Sequence, residues 1–188
     1  MTQISKTKIK PALLVLNDGS VFEGEAIGAG SSENSEPVIS KGEVVFHTGL
    51  SGYQEIITDP SYAGQIITFT TPHIGNYGTT NLDNEASKVF ARGVIVRELA
   101  RRRSNWRSDD SLDSFLKKNE MTGIAGIDTR RLTRLLRDSG SMPGAFGTAS
   151  QEELTKAAKS EKGTAGKNLV AQVTTTKSYI HGSGKFTV

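Results

Sequence analysis

Between Gly42 and Tyr62 the sequence changes character several times, and those changes restrict how the chain can fold. Glu43 to Thr48 is a β-type run, with Val44 and Phe46 on one face and Val45 and His47 on the other. It breaks on Gly49-Leu50-Ser51-Gly52, a turn with two glycines. Tyr53-Gln54-Glu55 and then the rigid block Asp59-Pro60-Ser61-Tyr62 follow, where Asp-Pro is a turn-initiating pair. The next strand, Gln65 to Thr70, puts Ile67 and Phe69 on one side and ends in the loop Thr71-Pro72-His73-Ile74-Gly75-Asn76-Tyr77-Gly78. Polar and aromatic groups on loops held between strands are a common way to build a binding surface.

The flanking sequence supplies more strands, then helices. Ala12 to Leu16 and Val21 to Ile27 are the arms of a hairpin, joined by Asn17-Asp18-Gly19-Ser20, because Asp-Gly tolerates positive φ. Gly28 to Pro37 is a polar loop with little predicted order. Gly93-Val94-Ile95-Val96 is a continuous apolar run, the pattern of a strand covered on both faces. Asp109-Asp110-Ser111 can start a helix through Leu112, Phe115 and Leu116. Gly123 to Ile127 is a short buried strand, and Asp128 caps a helix with Leu132, Leu135 and Leu136 on one stripe and Arg130, Arg134 and Arg137 on another. Gly140 stops that helix, Ala145-Phe146-Gly147 forms a last strand, and Ser150-Gln151-Glu152-Glu153 is a capping box over Leu154, Ala157 and Ala158. Strands dominate early and helices late, so the class is mixed α and β.

At 188 residues the chain supports one sizeable core and is short for two ordinary domains. With 35% hydrophobic and 23% charged residues, it has the make-up of a globular protein. No apolar run approaches the roughly 20 residues that cross a bilayer. Lys6, Lys8 and Lys10 precede Ala12 to Leu16, but that segment is shorter than a signal-peptide core and runs straight into a turn, so a cytoplasmic protein is expected. There is no cysteine, which excludes disulfides, thiolate metal sites and a thiol nucleophile.

Several fragments of motif compete for a functional reading. Gly28-Ala29-Gly30 begins a dinucleotide fingerprint, yet position 33 is Glu and no helix pattern follows. Gly49-Leu50-Ser51-Gly52-Tyr53 is close to a nucleophile elbow, but Tyr53 stands where glycine is required, and no helix is expected behind it. A hydrolase using Ser51 or Ser61 is one alternative. The net charge of +3 and the cluster Arg101-Arg102-Arg103 with Trp106 and Arg107 raise another, a basic nucleic-acid-binding module. Asp109, Asp110 and Asp113 dilute that field, and a surface loop or protein contact explains the cluster equally well. His47, His73 and His181 have no paired spacing, so no metal site is expected. Tyr53 reads as a core residue with a bonded hydroxyl, and Ser61 as either a turn cap or a ligand contact.

Ala12 to Gly19, Gly42 to Thr48, Gly52 to Tyr62, Thr71 to Asn76 and Ile127 to Arg134 closely resemble, in that order, the small subunit of glutamine-dependent carbamoyl-phosphate synthetase. Asn168-Leu169-Val170 with Val173-Thr174-Thr175 is similar to the segment that leads into that subunit's second domain. The resemblance implies a three-layer β/β/α domain of the swivelling type, with mixed sheets and two or three helices. It divides the chain into the small-subunit N-terminal domain, 1–150, and a short helix and linker, 151–188, toward an absent class I glutamine amidotransferase domain. The family hydrolyses glutamine with a Cys-His-Glu triad, which this chain lacks, and passes ammonia to the large subunit. There it joins bicarbonate at the expense of ATP, giving carbamoyl phosphate for pyrimidine and arginine biosynthesis. ATP and Mg are expected on the large subunit and no cofactor in this domain. The expected partners are the large subunit and the chain's own amidotransferase domain, in a heterodimer, with no nucleic acid and no membrane. No catalytic residue is expected here; one glutamine contact falls on Ser61. Tyr53, the His73 loop and the arginine face of the long helix are candidate contacts with the large subunit.

Overall fold

A computed structural model describes residues 10–180 and 182–186; Lys6, Lys8 and His181 lie outside the described residues. In chain order the elements are β1 (Pro11–Leu16), β2 (Val21–Gly28), β3 (Ile39–His47), α1 (Tyr53–Thr58), β4 (Gln65–Phe69), β5 (His73–Ile74), β6 (Gly93–Ile95), β7 (Glu98–Leu99), α2 (Leu112–Lys118), β8 (Thr122–Ala125), α3 (Thr129–Ser139), β9 (Met142–Gly147), α4 (Gln151–Ser160) and α5 (Val170–Val173). The fold is therefore mixed α and β, as expected. Among the described residues five helices form where two or three were foreseen; α1 and α5 are the additions.

The strands do not stay in open sheets. Seven of them close into a barrel in the order β1-β2-β8-β6-β4-β3-β9, with β5 and β7 as a separate two-stranded ribbon. Closure falls to β9, which pairs antiparallel with β1 on one side and with β3 on the other. β3, β4, β6 and β8 run parallel in succession, so the loops after His47 and Phe69 leave the same end of the barrel. Alternation then sorts the side chains. Leu14, Leu16, Phe22, Val44, Ile66, Ile95, Ile124, Met142 and Phe146 form one cluster from every barrel strand, and Ile127, Leu132 and Leu136 join it from α3 and its approach. The opposite faces of β4 and β6 give Ile67, Phe69 and Val94 to a second cluster, with Val96 just past β6, Tyr53 and Ile57 of α1 and Leu112 and Leu116 of α2. Leu154 and Ala158 of α4 pack on Val15 and Ala145 in a third.

Phe146 crosses the inner core. Around the barrel, β9 and β6 are separated by two strands on one side (β3 and β4) and three on the other (β1, β2 and β8), so they stand on opposing walls. A Cβ placed on Gly93 of β6 would lie 2.4 Å from the tip of the Phe146 ring. Glycine at 93 is the space that admits the ring.

The local signals read from sequence act as expected at the helix starts. Ser111 accepts from the Ser114 N–H and Asp128 from the Arg131 N–H. Ser150 and Glu153 complete a capping box. Gly140, with φ of 86°, ends α3. The loop after β2 differs from expectation because it is pinned. The Gly28 N–H donates to Asp113 Oδ1 at 2.8 Å, and Lys10 Nζ donates to the Ser35 carbonyl at 2.7 Å. From α4 to Thr164 the chain is laid against the barrel: α4 packs on it, and Thr164 Oγ1 donates to Glu43 Oε2 at 2.5 Å.

Replacing Gly93 with Ala is expected to lower stability by about 1–3 kcal/mol through overpacking against Phe146. The double variant with Phe146→Leu is expected to cost less than the sum of the two single changes. Urea unfolding of the four proteins measures both.

Candidate functional site

α1 organises the surface between the barrel loops. It has only six residues, and β-branched Ile56, Ile57 and Thr58 make it a poor helix by local preference. Bonds from elsewhere hold it. The Gly52 and Tyr53 N–H groups, two of the free donors at the helix start, donate to the Tyr77 hydroxyl at 2.6 and 3.1 Å. The Tyr53 hydroxyl donates to the Gly78 carbonyl at 2.6 Å, and the two phenol rings stack with centroids 4.1 Å apart. Gln54 is buried, and its side-chain amide donates to the Thr80 carbonyl and to Asn84 Oδ1 while its oxygen accepts from the Thr80 N–H. Thr58 Oγ1 accepts from the Glu85 N–H. Gly52 takes φ of 81°, which glycine adopts without strain.

These bonds bring the 77–85 segment against the start of α1 and leave a polar cleft of about 230 Å³ between them. Ser51, Glu55, Tyr77, Asp83, Asn105 and Arg107 are among its lining residues. Arg107 Nη2 pairs with Asp83 Oδ1 at 2.6 Å across it. Glu55 Oε2 is buried and has no hydrogen-bond partner among the described residues.

Ser61 lies past the other end of α1, in a 3₁₀ turn over Pro60–Tyr62. Its N–H donates to Asp59 Oδ1 at 2.7 Å, while its exposed hydroxyl makes no hydrogen bond among the described residues. Next to it, the Tyr62 hydroxyl meets His47 Nδ1 at 3.1 Å, and the His47 ring stands edge-on to Phe69. Burial, and then the Asp59 carboxylate, push the Tyr62 phenol above its ordinary range. Thr71 Oγ1 ties the two barrel loops together by donating to the Gly49 carbonyl at 2.9 Å.

Some sequence expectations change. A helix does follow Ser51 and Gly52, because Tyr77 and Gln54 hold it there. Ser51 is exposed, and neither its hydroxyl nor that of Ser61 bonds a histidine or carboxylate side chain among the described residues. Tyr53 is 2% exposed, so it positions α1 and cannot itself touch a partner. His73 is exposed and sits 3.5 Å from Glu98. On α3, Arg130, Arg134 and Arg137 are exposed and Arg137 pairs with Asp138. In the basic loop, Arg103 and Arg107 are engaged with Asp110 and Asp83. Gly28-Ala29-Gly30 leads into turns, not a helix, and the Gly28 N–H is already committed to Asp113. Among the described residues no three His, Asp or Glu side chains converge as metal ligands, and no helix is long and apolar enough to cross a membrane. Sequence reading named Gln54, Glu55 and Tyr77 only within their blocks and gave them no separate role; those of Gln54 and Tyr77 depend on contacts more than 20 residues away in the chain.

Residues 14–146 match the family model for the carbamoyl-phosphate synthase small chain, CPSase domain. The chain belongs to the carbamoyl-phosphate synthase small-chain family. It is 52% identical over 173 residues to the carbamoyl phosphate synthase small chain of Pseudomonas aeruginosa, covering 90% of this chain and 44% of that one. Against the small chain of Xylella fastidiosa it is 50% identical over 178 residues, covering 94% and 46%. Against that of Vibrio vulnificus it is 48% identical over 182 residues, covering 95% and 46%. This small-chain member thus spans a little under half the length of these relatives. α1, the cleft and Ser61 all fall inside the matched span.

The stacked pair of buried Tyr53 and half-buried Tyr77 gives this fold a pH limit. Burial first, and then the neighbouring phenol, push the Tyr53 phenol up; burial is also the main cause for Tyr77. The folded state keeps these protons where the unfolded chain, with phenols near pH 10, releases them. Stability is therefore expected to hold below about pH 10 and to fall above it. The fall is expected to be shallower in Tyr53→Phe, as measured by urea unfolding across that range. Tyr77→Phe, which strips two N–H groups of their acceptor, is expected to cost about 1–3 kcal/mol at neutral pH in the same assay.

Proposed function

We propose that this chain is the part of a carbamoyl-phosphate synthase small chain that docks glutamine hydrolysis onto the large subunit and performs no bond-breaking step itself. The observation that carries the reading is family membership together with the absence of cysteine. Glutamine hydrolysis through a thioester needs a thiolate, and no residue here supplies one. In this reading the whole enzyme is a ligase in the cytoplasm. Ammonia from glutamine reaches the large subunit of the heterodimer and enters carbamoyl phosphate, for pyrimidine and arginine biosynthesis. ATP and Mg²⁺ bind on the large subunit. The Gly28 loop fits no phosphate, since its N–H is taken and no helix follows.

Ser61 gives the proposed glutamine contact. Its hydroxyl is exposed and free to bond an amide or carboxylate, and the turn begun by Asp59 and Pro60 fixes its backbone. Residues 1–150 make the docking domain, and 151–188 lead toward the amidotransferase portion. We read the facing walls of the barrel as two β layers and the helices outside them as the third, in support of a β/β/α domain of the swivelling type. The nucleic-acid reading has less support, because two of the arginines in its cluster are neutralised by carboxylates.

Two outcomes check the proposal. The isolated chain is expected to compete with a complete small chain for the large subunit, lowering glutamine-dependent carbamoyl phosphate synthesis while leaving the ammonia-dependent reaction unchanged. Failure to compete at any concentration contradicts docking. In a complete small chain, Ser61→Ala is expected to raise KM for glutamine about tenfold, a loss of one hydrogen bond. An unchanged KM removes Ser61 from the site.

A further inference from the structure

On the body of the fold, between residues 10 and 169, four large hydrophobic side chains are exposed: Ile39, Leu50, Leu82 and Trp106. Three of them are at least 83% exposed, and those three border one place. Leu50 adjoins Ser51, Leu82 adjoins Asp83, and Trp106 lies between Asn105 and Arg107, all residues that line the cleft at the start of α1. Three chain segments distant in sequence thus each carry an exposed apolar residue next in sequence to a residue that lines the polar hollow. Such side chains are costly to leave in water, and Trp is the residue most enriched at the energetic centres of protein interfaces.

The hollow itself has a charge preference. Asp83 is satisfied by Arg107, whereas Glu55 presents a buried carboxylate oxygen with no partner among the described residues. A buried carboxylate oxygen without a donor is unfavourable until one arrives. At about 230 Å³ the cleft is smaller than the roughly 300–1,000 Å³ of small-molecule pockets and suits a single long side chain.

We propose that this cleft is the socket by which the chain grips its large subunit: a lysine or arginine of that partner enters and meets Glu55, and apolar side chains beside it cover Leu50, Leu82 and Trp106. The inference rests on the docking reading and gives it a location. It also gives α1 its purpose, since the Tyr77 and Gln54 bonds fix the socket before the partner arrives, which lowers the ordering cost of association.

The test is hydrogen exchange on the wild-type chain with and without the large subunit, together with binding measurements on variants. Segments 49–55, 80–84 and 104–108 are expected to slow on binding. Trp106→Ala and Glu55→Gln are each expected to weaken binding at least tenfold, Glu55→Gln with a flatter salt dependence, while Lys156→Ala on α4 binds as wild type. Melting of each variant separates a lost contact from a lost fold, and the wild-type exchange pattern decides if a variant melts early. Binding with these segments unchanged and the variants unaffected overturns the socket and leaves docking intact. An absence of binding by the wild-type chain removes docking and the socket together. Equal slowing by free lysine, without the large subunit, overturns the socket in favour of a metabolite site.

Discussion

The Phe146 ring lying against Gly93 is the contact on which the remaining architecture depends. β9 is the strand that joins β1 to β3, so without it the barrel is an open sheet with two unpaired edges. Phe146 anchors β9 from inside by reaching the opposing wall, and the absent side chain of Gly93 makes the room. Once the barrel is closed, the parallel strands β3 and β4 are held in register, and the loops that follow His47 and Phe69 emerge side by side. The Thr71 to Gly49 hydrogen bond then locks one loop to the other.

The functional surface is built on that frame by a helix too short to stand alone. α1 depends on the hydroxyl of Tyr77 at its start, on the Gln54 amide in its middle and on Thr58 at its end. Each bond ties it to the segment from Tyr77 to Glu85. Its two ends carry different features: the cleft with Glu55 at the first, Ser61 at the second. A single tertiary device therefore sets the distance between the proposed docking socket and the proposed glutamine contact, and a change in the tyrosine pair is felt at both.

Much of the fold was legible where local chemistry decides it. The Asp18-Gly19 hairpin, the caps at Ser111, Asp128 and Ser150, the stop at Gly140 and the doubly buried run at Gly93 each act within a few residues, and each holds. What was not legible is non-local. α1 runs against the preference of Ile56, Ile57 and Thr58, and only Tyr77 and Thr80 explain it. Barrel closure requires knowing that β9 meets both β1 and β3, which no periodicity states. β5 and β7, at two residues each, are too short to carry a pattern. The family was legible from the Asp-Pro-Ser-Tyr block and its neighbours. The cleft was not, because Glu55, Asp83 and Arg107 come from three separate stretches; Tyr53, read both as a core residue with a bonded hydroxyl and as a possible contact, is the buried support beneath it.

The proposed role of this polypeptide is to orient chemistry done elsewhere. Ammonia release from glutamine by the purified chain alone tests that most directly. A rate equal to the protein-free blank is expected at every glutamine concentration, and saturable turnover by the chain alone rules that role out.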